Sequence, residues 1–120
     1  MIKYTSDHEW VRVDGDVGTV GVTPFAQEKL GDLVSVELPR VGAAFDMGQT
    51  AGTVESVKAA ADIFAPVGGE IVAVNDRVTA EPGLVNTSPT GDGWLFKMKI
   101  GNAAEINGLM DEKAYEALDK

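Results

Sequence analysis

His8-Glu9-Trp10-Val11-Arg12-Val13, then Asp14-Gly15, then Asp16-Val17-Gly18-Thr19-Val20-Gly21-Val22 is the stretch that decides the fold. The first run sets Trp10 beside Val11 and Val13, side chains that suit a pleated, half-buried surface. The second interleaves β-branched residues with glycine. Asp-Gly between two such runs supplies the positive φ of a tight hairpin. A chain that opens this way builds its core from strands.

Working outward, Thr23 can cap a short helix over 24–30, with Pro24 at its first position, Phe25, Ala26 and Leu30 on an apolar side, and Gly31 to end it. At about two turns it is too short to persist alone and must pack on the sheet. Leu33-Val34-Ser35-Val36-Glu37-Leu38 reads as a strand stopped by Pro39. Gly42 to Gly52 reads as a loop with a short extended piece. Strand runs Thr53–Val57 and Ile63–Ala65 flank Lys58, and Pro66 with Gly68-Gly69 turns the chain into Glu70–Val74. Asn75 to Asp92, with Pro82, Gly83, Pro89 and Gly91, reads as a long loop. Trp94–Ile100 is the last strand, alternating apolar and basic residues from Leu95 or Phe96 onward. A short helical turn near Ala103–Leu109 precedes a C-terminal helix at about 111–119, where Asp111 caps and Met110 and Tyr115 have the spacing of a hydrophobic staple. Seven or so strands with little helix predict a mainly β fold, a compact barrel or sandwich with helices outside, in one domain over 1–120.

Composition narrows the chemistry. Nineteen acidic and ten basic residues give a net charge of −9, divided −4 and −5 about residue 60. So even an acidic surface disfavours nucleic acid and anionic lipid and suits partners with basic docking faces. There is no cysteine, which removes disulfides, thiolate metal sites and cysteine nucleophiles. The single histidine, His8, leaves no basis for a Ser-His-Asp triad and reads as a hydrogen-bonded structural residue. No run is long enough to span a membrane and the start carries no signal or transit pattern, so a cytoplasmic, bacterial protein is expected. Asp14 and Asp16 are turn residues rather than a calcium loop, and Trp10 and Trp94 are packing residues of the core or its rim. No reactive constellation emerges, and an enzyme is not expected.

The informative segment is Glu55-Ser56-Val57-Lys58-Ala59-Ala60-Ala61-Asp62. If the flanking strands pair, Lys58 stands at a hairpin apex, 57–60, with small residues after it. That geometry suits a lysine another enzyme must reach and acylate. It equally suits an ordinary solvated turn lysine, and spacing alone does not choose.

Glu55-Ser56-Val57-Lys58-Ala59 resembles the lipoylation site of the glycine cleavage system H protein family. Other blocks agree in order: Tyr4 with His8-Glu9-Trp10; Gly21-Val22-Thr23, Leu30-Gly31-Asp32 and Val36-Glu37-Leu38-Pro39; Ala65-Pro66, Gly69-Glu70 and Val74-Asn75; Pro82-Gly83-Leu84-Val85-Asn86 with Gly93-Trp94. Thr90 and Asp7 depart from the family's usual aromatic and small polar residues. The resemblance implies a barrel-sandwich hybrid of the lipoyl/biotinyl-carrier type and a non-catalytic carrier in one-carbon metabolism and glycine catabolism. Lys58 would be N6-lipoyllysine, with Glu55, Ser56, Val57 and Ala59 recognised around it. Lipoate would be its covalent cofactor. The implied partners are a pyridoxal-phosphate glycine decarboxylase, a tetrahydrofolate-dependent aminomethyltransferase, an FAD dihydrolipoamide dehydrogenase, and a lipoyl ligase or lipoyl/octanoyl transferase. A shuttle among them is best served as a monomer.

An S-aminomethyl group persists only while its nitrogen is protonated. A resting carrier should therefore hold the ammonium beside carboxylates and away from water. Glu9 and Asp62 match acidic positions lining the family's arm cleft, and both could equally be ordinary surface acids. Competing readings are a biotinyl module, an acyltransferase lipoyl domain, a lipoyl-relay donor and an unmodified adaptor. Biotin acceptors usually lie between methionines, whereas Lys58 lies between Val57 and Ala59.

Overall fold

The structure is a computed structural model and describes residues 1–118. Its strands are β1 (Ile2–Tyr4), β2 (Glu9–Asp14), β3 (Val17–Val22), β4 (Leu33–Glu37), β5 (Ala44–Phe45), β6 (Thr50–Ser56), β7 (Ala60–Phe64), β8 (Gly69–Val74) and β9 (Phe96–Ile100). The helices are α1 (Pro24–Leu30), α2 (Asp76–Ala80), α3 (Gly83–Thr87), α4 (Ala104–Asn107) and α5 (Glu112–Glu116). Six strands form one antiparallel sheet in the order β1-β2-β3-β9-β8-β5, and β4-β6-β7 form a second. One core joins them: Val11, Val20 and Val22 of the first sheet share a buried cluster with Val36, Val54 and Ile63 of the second.

The β2–β3 hairpin runs in register from Glu9↔Val22 to Asp14↔Val17, with Gly15 at φ 66° in its two-residue loop. Such a loop needs positive φ, which glycine supplies without steric cost. α1 follows the local signals. Thr23 accepts from the Ala26 N–H at 3.2 Å, Pro24 occupies the first position, and Gly31 ends the helix at φ 81°. β9 shows the expected alternation, burying Phe96 and Met98. Lys97 lies half-buried over the Trp94 ring at 5.1 Å.

Several expectations are corrected. There are nine strands among the described residues, because β1 and β5 are edge pieces of three and two residues that carry no periodicity of their own. β6 starts at Thr50 rather than Thr53, and β9 at Phe96 rather than Trp94. The segment from Asn75 to Asp92 is not one long loop: it contains α2 and α3. Asn75 caps α2 by accepting from the Arg77 N–H, and the fully buried Val78 and Val85 anchor the two helices. Tertiary burial stabilises helices of five residues that propensity alone would not form. At the C-terminus, Asp111 caps α5 through the Ala114 N–H at 2.8 Å, and Tyr115 is buried. Position 119 of the expected helix lies outside the described residues. No helix among the described residues is long and apolar enough to cross a membrane.

Candidate functional site

The turn Val57-Lys58-Ala59 joins β6 to β7, whose pairing runs from Thr50↔Phe64 to Glu55↔Ala60. Ser56 builds this turn from inside. Its buried hydroxyl accepts from the N–H groups of Lys58 and Ala59, each at 3.1 Å, and donates to the Ala59 carbonyl at 3.1 Å. The Ser56 N–H also donates to Ala59 O at 2.7 Å. Such local side-chain bonding fixes a turn where the ladder cannot. Val57, Lys58, Ala59 and Ala60 are exposed, so the amine stands among small side chains with open approach.

A second element supports the turn from the side. The Val57 N–H donates to Asp32 O at 3.1 Å. A Cβ added at Gly31 would stand 3.0 Å from Cε and 3.6 Å from Nζ of Lys58. The Lys58 side chain thus rests against bare backbone where α1 passes into β4. Asn86 of α3 holds that backbone: Oδ1 accepts from the Leu33 N–H at 2.9 Å, and Nδ2 donates to Gly31 O at 2.8 Å and to Gln27 Oε1 at 3.0 Å.

From the apex, β7 runs toward a cleft. Strand alternation places Ala60, Asp62 and Phe64 on one face while Ile63 enters the core. Ala60 and Phe64 are roughly 13 Å apart along the strand, at about 3.3 Å per residue. Where β7 ends, the Phe64 N–H donates to Glu9 Oε2 at 2.8 Å, and Thr5 Oγ1 donates to Glu9 Oε1 at 3.3 Å. Glu9 is only 2% exposed. Burial drives its carboxyl from an ordinary 4.5 to about 8; the Phe64 and Thr5 hydrogen bonds oppose the rise, and the Asp7 charge adds to it. With a value of about 8, the protonated form predominates at neutral pH. It lines a cavity of about 320 Å³ whose other walls include Tyr4, Phe64, Pro66, Leu109 and Met110. A cation entering that cavity would favour the carboxylate and draw the proton off.

A sequence model of the family described as glycine cleavage H-protein matches residues 2–120. The chain belongs to the glycine cleavage H-protein family. The glycine cleavage system H protein of Bradyrhizobium diazoefficiens is 54% identical over 114 residues, covering 95% of this chain and 93% of that one. The one from Chromobacterium violaceum is 55% identical over 115 residues, covering 95% and 90%. The crystal structure of a glycine cleavage system H protein from Mycobacterium marinum superposes with a TM-score of 0.87 at 38% identity, covering 95% of this chain and 92% of that one. The fold is accordingly the mainly β, barrel-sandwich lipoyl-domain fold expected from sequence. Family membership carries with it a role as lipoyl carrier within the glycine cleavage system, alongside the partner enzymes of that system.

The residues singled out from sequence fall into three places. Lys58, Glu55, Val57 and Ala59 are exposed at the apex, whereas Ser56 is turned inward and spent on the turn. Glu9 is in the cleft wall. Asp62 is exposed on β7 opposite Thr53, between apex and cleft, and is not among the residues lining the cavity. Sequence reading missed Gly31 and Asp32 as the support beneath Lys58, Asn86 as its brace, and the contribution of Leu109 and Met110 to the cleft. Each depends on partners far away along the chain, and only the family blocks containing Gly31-Asp32 and Asn86 pointed near them.

Proposed function

We propose that Lys58 carries lipoate in amide linkage and that the chain presents this arm in turn to the enzymes of glycine cleavage. The observation that supports this best is the exposed amine on a Ser56-built turn in a chain of this family. The residues present fit the group. The apex leaves Nζ open, Ala59 to Ala61 offer no bulk beside it, and the β7 face leads to a cavity walled by Phe64, Pro66, Leu109 and Met110. Attached at Lys58, lipoate would supply the dithiol chemistry that serves a pyridoxal-phosphate glycine decarboxylase, a tetrahydrofolate-dependent aminomethyltransferase and a flavin dihydrolipoamide dehydrogenase.

What this chain contributes is position and environment. Tethering at Lys58 keeps the cargo at high effective concentration at each station. Glu9, neutral while the cleft lacks a cation, becomes a buried counter-charge for an ammonium and keeps it protonated. Asp62 lies on the route as an exposed acid that attracts the same cation. The carrier has no catalytic residue of its own in this reading. An unmodified adaptor would need none of this arrangement.

The test is intact mass after co-expression with a lipoyl ligase and lipoate, followed by peptide mapping across residues 55–62. One lipoyl increment on Lys58, lost in Lys58→Arg, is expected. A chain that stays unmodified, or that is modified elsewhere, overturns the proposal.

A further inference from the structure

Asn86 lies in α3, distant in sequence from the apex, yet both ends of its amide serve the segment on which the apex rests. Its oxygen takes the Leu33 N–H, and its nitrogen holds Gly31 O and Gln27 Oε1. Leu33 pairs with Ser56, the residue that builds the turn. Asp32, between the two anchored residues, supplies the carbonyl for the Val57 N–H. Gly31 presents the bare backbone beside Lys58 Cε. Three contacts thus run from the braced segment to the apex, one at each of Gly31, Asp32 and Leu33. Without the brace, Leu33 N–H and Gly31 O lose a partly buried partner, and the segment is free to move away from the turn.

We infer that Asn86 is a positioning residue for acylation of Lys58, acting through Gly31–Leu33 to hold the acceptor amine where an acylating enzyme meets it. The inference rests on the reading of Lys58 as an acyl acceptor. The step served is simple. The Nζ lone pair attacks the carbonyl carbon of an activated acyl donor such as an acyl adenylate. The C–N bond forms, the C–O bond to phosphate breaks, AMP leaves with that electron pair, and the amine's proton passes to solvent. Nothing is oxidised or reduced. What the protein can add is orientation, which is worth most when the acceptor is fixed before the encounter.

The experiment compares the wild-type chain with Asn86→Ala, Asn86→Asp and Thr87→Ala, using a purified lipoate–protein ligase with lipoate and ATP. Acylation is followed by intact mass, and amide exchange at Leu33 and Val57 by NMR. Thr87 is the neighbouring residue on α3, and its hydroxyl donates back to Leu84 O. Asn86→Ala is expected to lower kcat/KM for acylation about tenfold and to speed exchange at both amides, while Thr87→Ala changes neither. Non-enzymatic acetylation of Lys58 by acetic anhydride should be the same in every variant, because exposure of the amine is unaltered. Should Asn86→Ala fail to fold, Asn86→Asp carries the comparison at a temperature where circular dichroism shows it folded. It keeps the acceptor for Leu33 and loses both donors. Unchanged enzymatic acylation in a folded Asn86 variant overturns the inference, as does an equal loss in Thr87→Ala. If the wild-type chain is not acylated at Lys58, it is the carrier reading itself that fails.

Discussion

Replacing Glu9 by glutamine should change how stability depends on pH, and the size of the change follows from the cleft. The carboxyl is buried, and its folded-state value is about 8 against an ordinary 4.5. For an acid raised on folding, the native chain keeps a proton that the unfolded chain has released, so rising pH favours unfolding. The stabilisation is fully present below about pH 4.5 and is lost as pH climbs toward about 8. Each pH unit across that window is about 1.4 kcal/mol, so the wild-type chain forfeits at most about 5 kcal/mol to this one group. That is a large share of the roughly 5–15 kcal/mol that holds a typical domain together. Glutamine has nearly the same shape, keeps an oxygen for the Phe64 N–H and does not titrate. Urea unfolding of both proteins at about pH 5, 6, 7 and 8 should show Glu9→Gln gaining on wild type by up to several kcal/mol across the series. The difference between the two curves cancels every other titrating group. Parallel curves would mean that Glu9 is solvated and charged at neutral pH, and the account of the cleft as a site that ionises on meeting a cation would be wrong.

Other outcomes are expected from the same structure. In the aminomethyl-loaded carrier, Glu9→Gln should speed release of formaldehyde, measured in the absence of the partner enzymes; an unchanged rate removes Glu9 from the role of counter-charge. Lipoylation neutralises the Lys58 ammonium and takes the formal net charge from −9 to −10, so the modified form should run faster on a native gel, and equal mobility would argue that the lysine is untouched. Tyr115→Phe removes the hydroxyl that meets Thr23 Oγ1 and His8 Nδ1, each at 2.8 Å, and should cost about 1–3 kcal/mol in urea unfolding. Association with the glycine decarboxylase should weaken as salt rises, because an acidic carrier is steered by charge; salt-independent affinity would refute that steering.

How much of this could be read from the sequence follows the range of each interaction. The β2–β3 hairpin, α1 and the alternation of β9 were legible because their signals lie within a few residues of one another. α2 and α3 were not, since Asn75 to Asp92 looks like loop until Val78 and Val85 find the core. β1 exists because Ile2–Tyr4 pairs with Trp10–Arg12, not because three residues prefer extension. At the site, the lysine between strand runs with small neighbours was visible as a candidate, and the family resemblance chose between its two readings. Glu9 could be named from that resemblance, but its raised pKa could not, because the rise comes from burial, which outweighs the opposing Phe64 and Thr5 hydrogen bonds. Asn86 was invisible as a brace: its partners lie 53 to 59 positions away, and no local pattern records them.

Tyr4 stacks on Tyr115 with ring centroids 4.7 Å apart, and Tyr4 and Met110 exchange backbone hydrogen bonds. The wall of the cleft formed by Tyr4, Leu109 and Met110 therefore exists only once the earliest and latest parts of the polypeptide have met. The acceptor hairpin, by contrast, closes between adjacent strands. Contacts so remote in sequence carry a larger loop-closure cost and tend to form late. Under the proposed function, a molecule whose two ends have not yet met would expose its lysine while lacking the shelter for a cargo, so that modification and safekeeping would be separable stages, the first tuned by the Asn86 brace and the second awaiting closure of the termini.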